Sequence, residues 1–261
     1  MIALDFGLGE IERDFWHVVF MMTRIGAALI AAPLFGGASV PMTVRVCVAG
    51  ALAIFAAIWL PAVSSPPALL SVEGMLAVAG EVLVGLTLGF VLQLAFATPQ
   101  IAAELISGGM GMSMAVTADP AHGTQTTAFG QYFSIVLTLI FLALGAHLQW
   151  IALLMESYRS FPPGDTWLGP ERFEMIGQFA GLMFQTGLRI ALPVTLILLL
   201  VQIFTGVLSR SAPSLNLFAI GLPAGVLAGI AALIISAPLI YDQFVDLAGT
   251  SVSQAEMVIA R

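Results

Sequence analysis

Residues 108–123 read GGMGMSMAVTADPAHG and separate two long apolar runs, over 75–106 and 128–155. The stretch combines five glycines or prolines with three methionines, a composition poorly suited to a regular helix. At bilayer depth, irregular backbone persists only where protein or a water-filled cavity covers it. The segment therefore predicts a pathway or a gate between membrane helices.

The composition of the 261-residue chain is that of an integral membrane protein. Apolar residues make up 59% of it and charged residues 9%, against roughly a quarter charged in soluble domains. All eight cations are arginine and the net charge is −7, so the chain lacks the basic footprint of a nucleic-acid partner. We expect an all-α fold, with one helical membrane domain over residues 1–261.

Apolar runs of roughly 20 residues or more predict about six helical spans. They cover residues 15–34, 44–60, 75–98, 128–158, 175–208 and 217–245. Several contain prolines, which remove a backbone donor and free a carbonyl. We expect a kink at Pro99 with a half-helix over 101–106 beyond it, and an interruption at Arg189 and Pro193.

Two connecting segments stand out between the predicted spans. A plug-like loop is predicted at about 107–124, and the longest polar loop at about 159–174. We expect 128–158 to form one tilted span. Trp150 and Tyr158 predict that its end lies at the membrane interface, where such aromatic residues are enriched.

Ionisable residues within or beside the apolar runs allow two interpretations. They mark a functional pathway, or they form interhelical ion pairs that fix packing, since an unpaired charge in hydrocarbon is costly. The second interpretation is favoured for the set, which comprises Arg24, Arg45, Glu81, Glu104, Arg189 and Arg210.

Two glycine pairs, Gly85/Gly89 and Gly225/Gly229, have the G-x-x-x-G spacing that suits close helix contact. Catalysis has weaker support, because a serine nucleophile at Ser113 would need a histidine within hydrogen-bonding reach. The histidines are scattered singly, and no phosphate loop, metal-ligand pair or cofactor motif occurs. We expect no enzyme activity, no cofactor and no metal.

Four segments together resemble the R subunit of the flagellar type III export gate, the FliR family. The first is APLFGG at 32–37 with VP at 40–41 and VRV at 44–46, and the second is EVLVGLTLGF at 81–90. The third runs from MG at 110–111 to DPAHG at 119–123, and the fourth is LSRSAPSLNLFAIGLP at 208–223. The residues that carry these motifs are Pro33, Phe35, Gly36, Pro41, Arg45, Glu81, Gly85, Gly89, Asp119, Pro120, Gly123, Arg210, Pro213, Asn216, Phe218, Gly221 and Pro223.

The resemblance implies a structural and gating subunit of the bacterial inner membrane, at the flagellar basal body. Such a subunit assembles with P-type and Q-type subunits, and with the B-type switch subunit, around a channel for unfolded flagellar proteins. Its helices pack as bent hairpins in a helical complex within membrane lipid. A glycine-rich loop plugs the closed pore, and the matching residues here are Gly108, Gly109, Met110, Gly111, Met112 and Met114.

Two alternatives to the flagellar assignment stay open at this point. Export gates of the virulence type share the architecture. A secondary transporter of a small solute would also use broken helices around a midplane site. The chain departs from the family in having Gly145-Ala146 before His147, where Asp-Gly is common, and in lacking a lysine near Gly225.

Overall fold

The computed structural model describes residues 8–37, 40–59, 71–112, 127–164, 169–211 and 217–260. Within these ranges the regular secondary structure is helical and includes no strand, which confirms the predicted all-α class. The helices are α1 (Leu8–Ala31), α2 (Pro33–Gly36), α3 (Met42–Trp59), α4 (Val72–Gly109), α5 (Ala128–Ala143), α6 (Ala146–Ser160), α7 (Pro170–Ser211) and α8 (Leu217–Ile259).

Five of these helices, α1, α3, α4, α7 and α8, are long and apolar enough to cross a membrane. A sixth span results if α5 and α6 count as one broken crossing. The expectation of about six spans in a polytopic membrane protein is therefore confirmed. Their packing as bent hairpins within a larger assembly stays a prediction.

The prolines interrupt the long helices less than their positions suggest. Helix α4 continues through Pro99, α7 continues through Pro193, and α8 extends to Ile259 with two prolines inside it. Residues 101–106 are helical, as predicted, but they continue α4 and do not form a separate half-helix. The interruption predicted at Arg189 and Pro193 is wrong, and the kink at Pro99 stays a prediction. Close neighbours and local side-chain bonds compensate for a missing backbone donor in such helices.

A glycine, not a proline, ends the helix that was predicted over 128–158. Helix α5 ends at Ala143 and α6 begins at Ala146, so the expected single span is broken. Between them Gly145 has φ +67°, in the left-handed region that glycine adopts at no steric cost. The position that departs from the family pattern is therefore one whose left-handed backbone favours glycine.

Both predicted loops are shorter than expected where the structure describes them. Helix α6 continues to Ser160 and α7 begins at Pro170, which narrows the polar loop predicted at 159–174. Proline suits the first turn of a helix, because its missing N–H would have no intrahelical partner there. Helix α4 likewise runs to Gly109, so the plug-like segment begins as the end of a helix.

The contacts group into two compact units that are interleaved along the chain. The first comprises residues 1–93, 145–179 and 251–261, and in it α1 packs along α3. The second comprises 94–144 and 180–250, and its core includes the perpendicular rings of Phe133 and Phe244, with centroids 5.6 Å apart. The prediction of a single domain stays a prediction.

Candidate functional site

The segment assigned to the plug begins in an ordered helix cap at the end of α4. The Met112 N–H donates to the Ser107 carbonyl and the Gly111 N–H to the Gly108 carbonyl, each at 3.0 Å. Gly111 has φ +79°. This pair of bonds around a left-handed glycine is the Schellman motif, which satisfies the last carbonyls of a helix. Gly111 therefore ends α4 and turns the chain.

The methionines of this segment differ in their environment. Met110 is buried and lies against Gly225 and Gly229 of α8, whereas Met112 is half-buried. The predicted close contact at Gly225 and Gly229 thus exists, but its partner is the turn after α4. Met114 and the rest of the segment up to residue 126 lie outside the described residues.

A buried ion pair joins α1 to α4 in the first unit. The Arg24 Nε donates to one Glu81 oxygen at 2.8 Å and its Nη2 donates to the other at 3.0 Å, and both side chains are fully buried. Two parallel bonds of this kind form the strongest geometry available to arginine and carboxylate. For these two residues the interpretation as an interhelical ion pair is confirmed.

The remaining donors and acceptors of this pair bind the end of α6. The Arg24 guanidinium donates to the Ser157 hydroxyl at 3.1 Å and to the Phe161 carbonyl at 2.8 Å. It also lies over the Tyr158 ring, 4.1 Å from the centroid. Glu81 additionally accepts the Gly164 N–H at 3.4 Å. We call Arg24, Glu81, Ser157, Tyr158 and Phe161 the charged hub, and it fixes three helices to one another.

Helix α4 approaches α1 closely beside the charged hub. A Cβ at Gly85 would collide with the Arg24 carbonyl oxygen. At Gly89 it would lie 2.5 Å from the Ala28 carbonyl oxygen and 2.6 Å from the Ala31 Cβ. The close helix contact predicted from the spacing of these two glycines is confirmed.

Comparisons with known proteins identify the family of the chain. A sequence model of the family described as "Bacterial export proteins, family 1" matches residues 15–250. The chain belongs to this family. The family predicted from the four motifs is thus confirmed, together with the predicted class of function, bacterial protein export in flagellar biosynthesis.

Relatives of this export family resemble the chain over most of its length. The Flagellar biosynthetic protein FliR of Pectobacterium carotovorum subsp. carotovorum is 32% identical over 230 residues, 88% of this chain and 86% of the relative. The protein of the same name from Escherichia coli strain K12 is 32% identical over 233 residues, 89% and 87% of the two chains. That from Bacillus subtilis strain 168 is 30% identical over 227 residues, 85% and 86%.

The first of the export-family motifs folds as a tight turn between α1 and α3 that contains the short helix α2. A Cβ at Gly36 would collide with the Ile30 carbonyl oxygen, so the return of the chain requires glycine there. Arg45, in the first turn of α3, donates through Nη2 to the carbonyls of Gly36 at 3.3 Å and Gly37 at 2.5 Å. The other residues of this motif, Pro33, Phe35 and Pro41, lie within or beside the turn.

The later export-family motifs are described only in part. Arg210 lies exposed in the last turn of α7, while Phe218, Gly221 and Pro223 lie in the first two turns of α8. Outside the described residues lie Asp119, Pro120, Gly123, Pro213 and Asn216. Of the other ionisable residues, Arg189 is exposed, and Glu104, also exposed, accepts the Thr127 N–H at 3.3 Å.

The sequence missed the aromatic residues that pack around the charged hub. Trp150 and Tyr158 were predicted at the membrane interface, but both are buried. The Trp150 Nε1 donates to the Leu88 carbonyl at 3.2 Å and the Tyr158 hydroxyl to the Met21 carbonyl at 2.6 Å. With Leu154 and Ser157 they share one face of α6 at helical spacing, a signal that the sequence did contain.

Proposed function

We propose that this chain is a structural, non-enzymatic subunit of the flagellar type III export gate in the bacterial inner membrane. It would assemble with P-type, Q-type and B-type subunits at the basal body around a channel for unfolded flagellar proteins. The observation that carries the proposal is the family match over residues 15–250, almost the whole chain. The names of the relatives favour the flagellar system over the virulence system and over a solute transporter.

The surface of the second unit supports an assembled role. In the most apolar stretches of α7 and α8 only 22% of the residues are buried, against 56% in α4. Large apolar side chains such as Phe204, Ile234 and Ile235 are more than two-thirds exposed. Exposed apolar surface of this extent marks contact with lipid or with other protein chains. We assign it to lipid and to the helices of partner subunits.

The plug role rests on where the glycine- and methionine-rich turn lies. We assign Gly108, Gly109, Met110, Gly111, Met112 and Met114 to a plug that closes the resting pore against ions. The turn follows directly on α4, the helix with the most buried apolar stretch among the candidate spans. Methionine side chains adapt their shape to different neighbours, which suits a closure that an entering chain must displace.

Assembly is tested by co-expression with the neighbouring P-type and Q-type proteins, followed by native mass spectrometry of a detergent extract. We expect a discrete complex that contains one or a few copies of this chain among many P and Q copies. The exposed apolar surface of α7 and α8 supplies the physical reason, because partner helices would cover it. A stable monomer or homodimer that ignores both partners would contradict the proposed function.

The plug is tested by replacing 108–114 with a shorter linker. We expect a higher resting ion conductance of membranes that contain the complex, while export continues, because the linker no longer spans the closed pore. Native mass spectrometry of the same variant serves as the control for assembly. An assembled variant with unchanged resting conductance would rule out the plug role and leave the structural role intact.

A further inference from the structure

The backbone at the end of α4 is held against α7 within the second unit. The Gly109 carbonyl accepts a hydrogen bond from the Gln202 Nε2 at 3.0 Å. A Cβ at Gly109 would lie 2.9 Å from the Leu198 Cδ1 and 3.6 Å from its Cβ, so Gly109 packs directly against this side chain of α7. The base of the candidate plug is therefore docked on α7.

Met110 is held on the other side by the glycine pair of α8. At Gly229 a Cβ would collide with the Met110 Cε and would lie 2.7 Å from its Cγ and 2.9 Å from its sulfur. At Gly225 a Cβ would lie 3.5 Å from the Met110 carbonyl oxygen and 4.0 Å from its Cα. Both glycines are buried, and Met110 is 2% exposed. The two glycines thus form a slot in which Gly229 contacts the Met110 side chain and Gly225 contacts the Met110 backbone.

We propose that Met110 in this slot is the latch that keeps residues 108–112, the plug base, docked in the resting gate. The inference rests on the proposed function and deepens it, because it divides the plug into a latched base and the residues beyond it. Release of the Met110 side chain from Gly229 is then the first step of opening when a substrate chain enters, and the bond from Gln202 to Gly109 still holds the end of α4 at that point.

The chemistry of the contact suits a latch that opens and closes again. The slot is made of glycine surface, so it holds the thioether by dispersion and shape. An unbranched side chain with three rotatable bonds leaves such a slot without breaking a backbone hydrogen bond. The cap at Gly111 and the bond from Gln202 to Gly109 do not involve the Met110 side chain. Release of the side chain thus leaves α4 intact.

A reversible cross-link tests the latch directly. In a Cys47→Ser background, the pair Met110→Cys and Gly225→Cys is introduced, because a Cβ at 225 would lie 4.0 Å from the Met110 Cα, which places the two residues side by side. We expect oxidation to reduce export to the background of a deletion strain, with low ion conductance, and a reductant to restore export. Normal export by the oxidised chain would overturn the latch.

The matched control joins two helices of the same unit away from the turn. A Cβ at Gly187 would lie 3.2 Å from the Ile101 Cβ, so a shift of a few tenths of an ångström brings the pair Ile101→Cys and Gly187→Cys to the separation of a disulfide between α7 and α4. We expect its oxidation to leave export unchanged, which supports a motion confined to the plug base. Equal loss of export in both cross-linked chains would overturn the assignment of that motion to Met110.

A second variant opens the latch without a cross-link. Gly229→Ala places a methyl group where the Met110 side chain lies and should expel this flexible side chain. We expect a raised resting conductance with assembly preserved, whereas Gly249→Ala on the same helix, where the added Cβ meets nothing within 4 Å, should leave conductance unchanged. Adding Met110→Ala to Gly229→Ala removes the collision between the two side chains. We expect the resting conductance to stay raised, because the latch residue is then missing. Restored low conductance in that double variant would indicate steric packing alone and overturn the latch.

The two levels of the proposal fail in different ways. If deletion of this chain leaves flagellar export intact, the proposed function is wrong and the latch falls with it. If deletion abolishes export but the oxidised 110–225 pair exports normally, the proposed function stands and only the latch is wrong.

Discussion

Glu81→Ala is expected to destabilise the chain by about 3–5 kcal/mol, the usual cost of removing one partner from a buried ion pair. The Arg24 guanidinium would remain fully buried with only the Ser157 hydroxyl, the Phe161 carbonyl and the Tyr158 ring around it. None of these carries a compensating negative charge at neutral pH. We expect a lower midpoint of unfolding in detergent, and a lower amount of the chain in membranes.

An exposed ion pair in the same unit provides the control. Arg159 and Glu156 interact at 3.0 Å, but their side chains are 60% and 50% exposed. Pairs of this kind contribute about 0–1 kcal/mol, so Glu156→Ala should shift the midpoint little. Equal shifts for Glu81→Ala and Glu156→Ala would contradict a stabilising role for the charged hub.

The double variant Arg24→Met with Glu81→Leu separates charge from packing. Apolar residues of similar volume often replace a buried pair at little cost, because no unpaired charge is left behind. We expect the double variant to be more stable than Glu81→Ala. Export by the double variant is measured separately from its stability, because the loss of the bonds to Ser157 and Phe161 would release the end of α6.

The sequence predicted that the charged hub would be an ion pair, but it did not predict which residues would form it. Arg24 and Glu81 were recognised as ionisable residues in apolar runs, and an ion pair was the favoured interpretation. They are 57 positions apart, and no spacing rule connects residues on different helices. Tyrosine and tryptophan rings are amphipathic, so they suit a helix–helix contact as well as the membrane interface. For this reason the sequence alone places Trp150 and Tyr158 at the interface, whereas the structure buries both between helices.

The helix breaks predicted at prolines were less accurate than the close contacts predicted at glycine pairs, for a physical reason. A proline such as Pro99 frees a carbonyl, but its neighbours decide whether the helix ends, and those neighbours come from tertiary structure. The G-x-x-x-G spacing places two glycines on one face of a helix, but it does not determine which part of the protein packs against that face. At Gly85 and Gly89 a helix covers it, and at Gly225 and Gly229 a methionine does.

Gly89→Ala is expected to separate α1 from α4. The added methyl group would lie 2.5 Å from the Ala28 carbonyl oxygen and 3.0 Å from the Ala32 nitrogen, and these backbone atoms move only if the helix moves. Overpacking usually costs about 1–3 kcal/mol. We expect the upper end of that range here, measured as a lower midpoint of unfolding.

Gly26→Ala on α1 is the matched control for this substitution. A Cβ at Gly26 meets nothing within 4 Å, so only the intrinsic helix preference changes. Alanine is favoured over glycine by about 1 kcal/mol in a helix interior, and the control should be neutral or stabilising. A Gly89→Ala chain as stable as the Gly26→Ala chain would contradict the close contact between the helices.

The same helix contact should be coupled energetically to the charged hub. A Cβ at Gly85 collides with the carbonyl oxygen of Arg24, the residue whose side chain binds Glu81. Gly85→Ala should therefore displace the guanidinium from the carboxylate as it separates the helices. Neighbouring sites of this kind are not additive. The loss in Gly85→Ala with Glu81→Ala should be smaller than the sum of the single losses, because the first substitution already weakens the ion pair. A strictly additive result would mean that the glycine contact and the ion pair stabilise the helices independently.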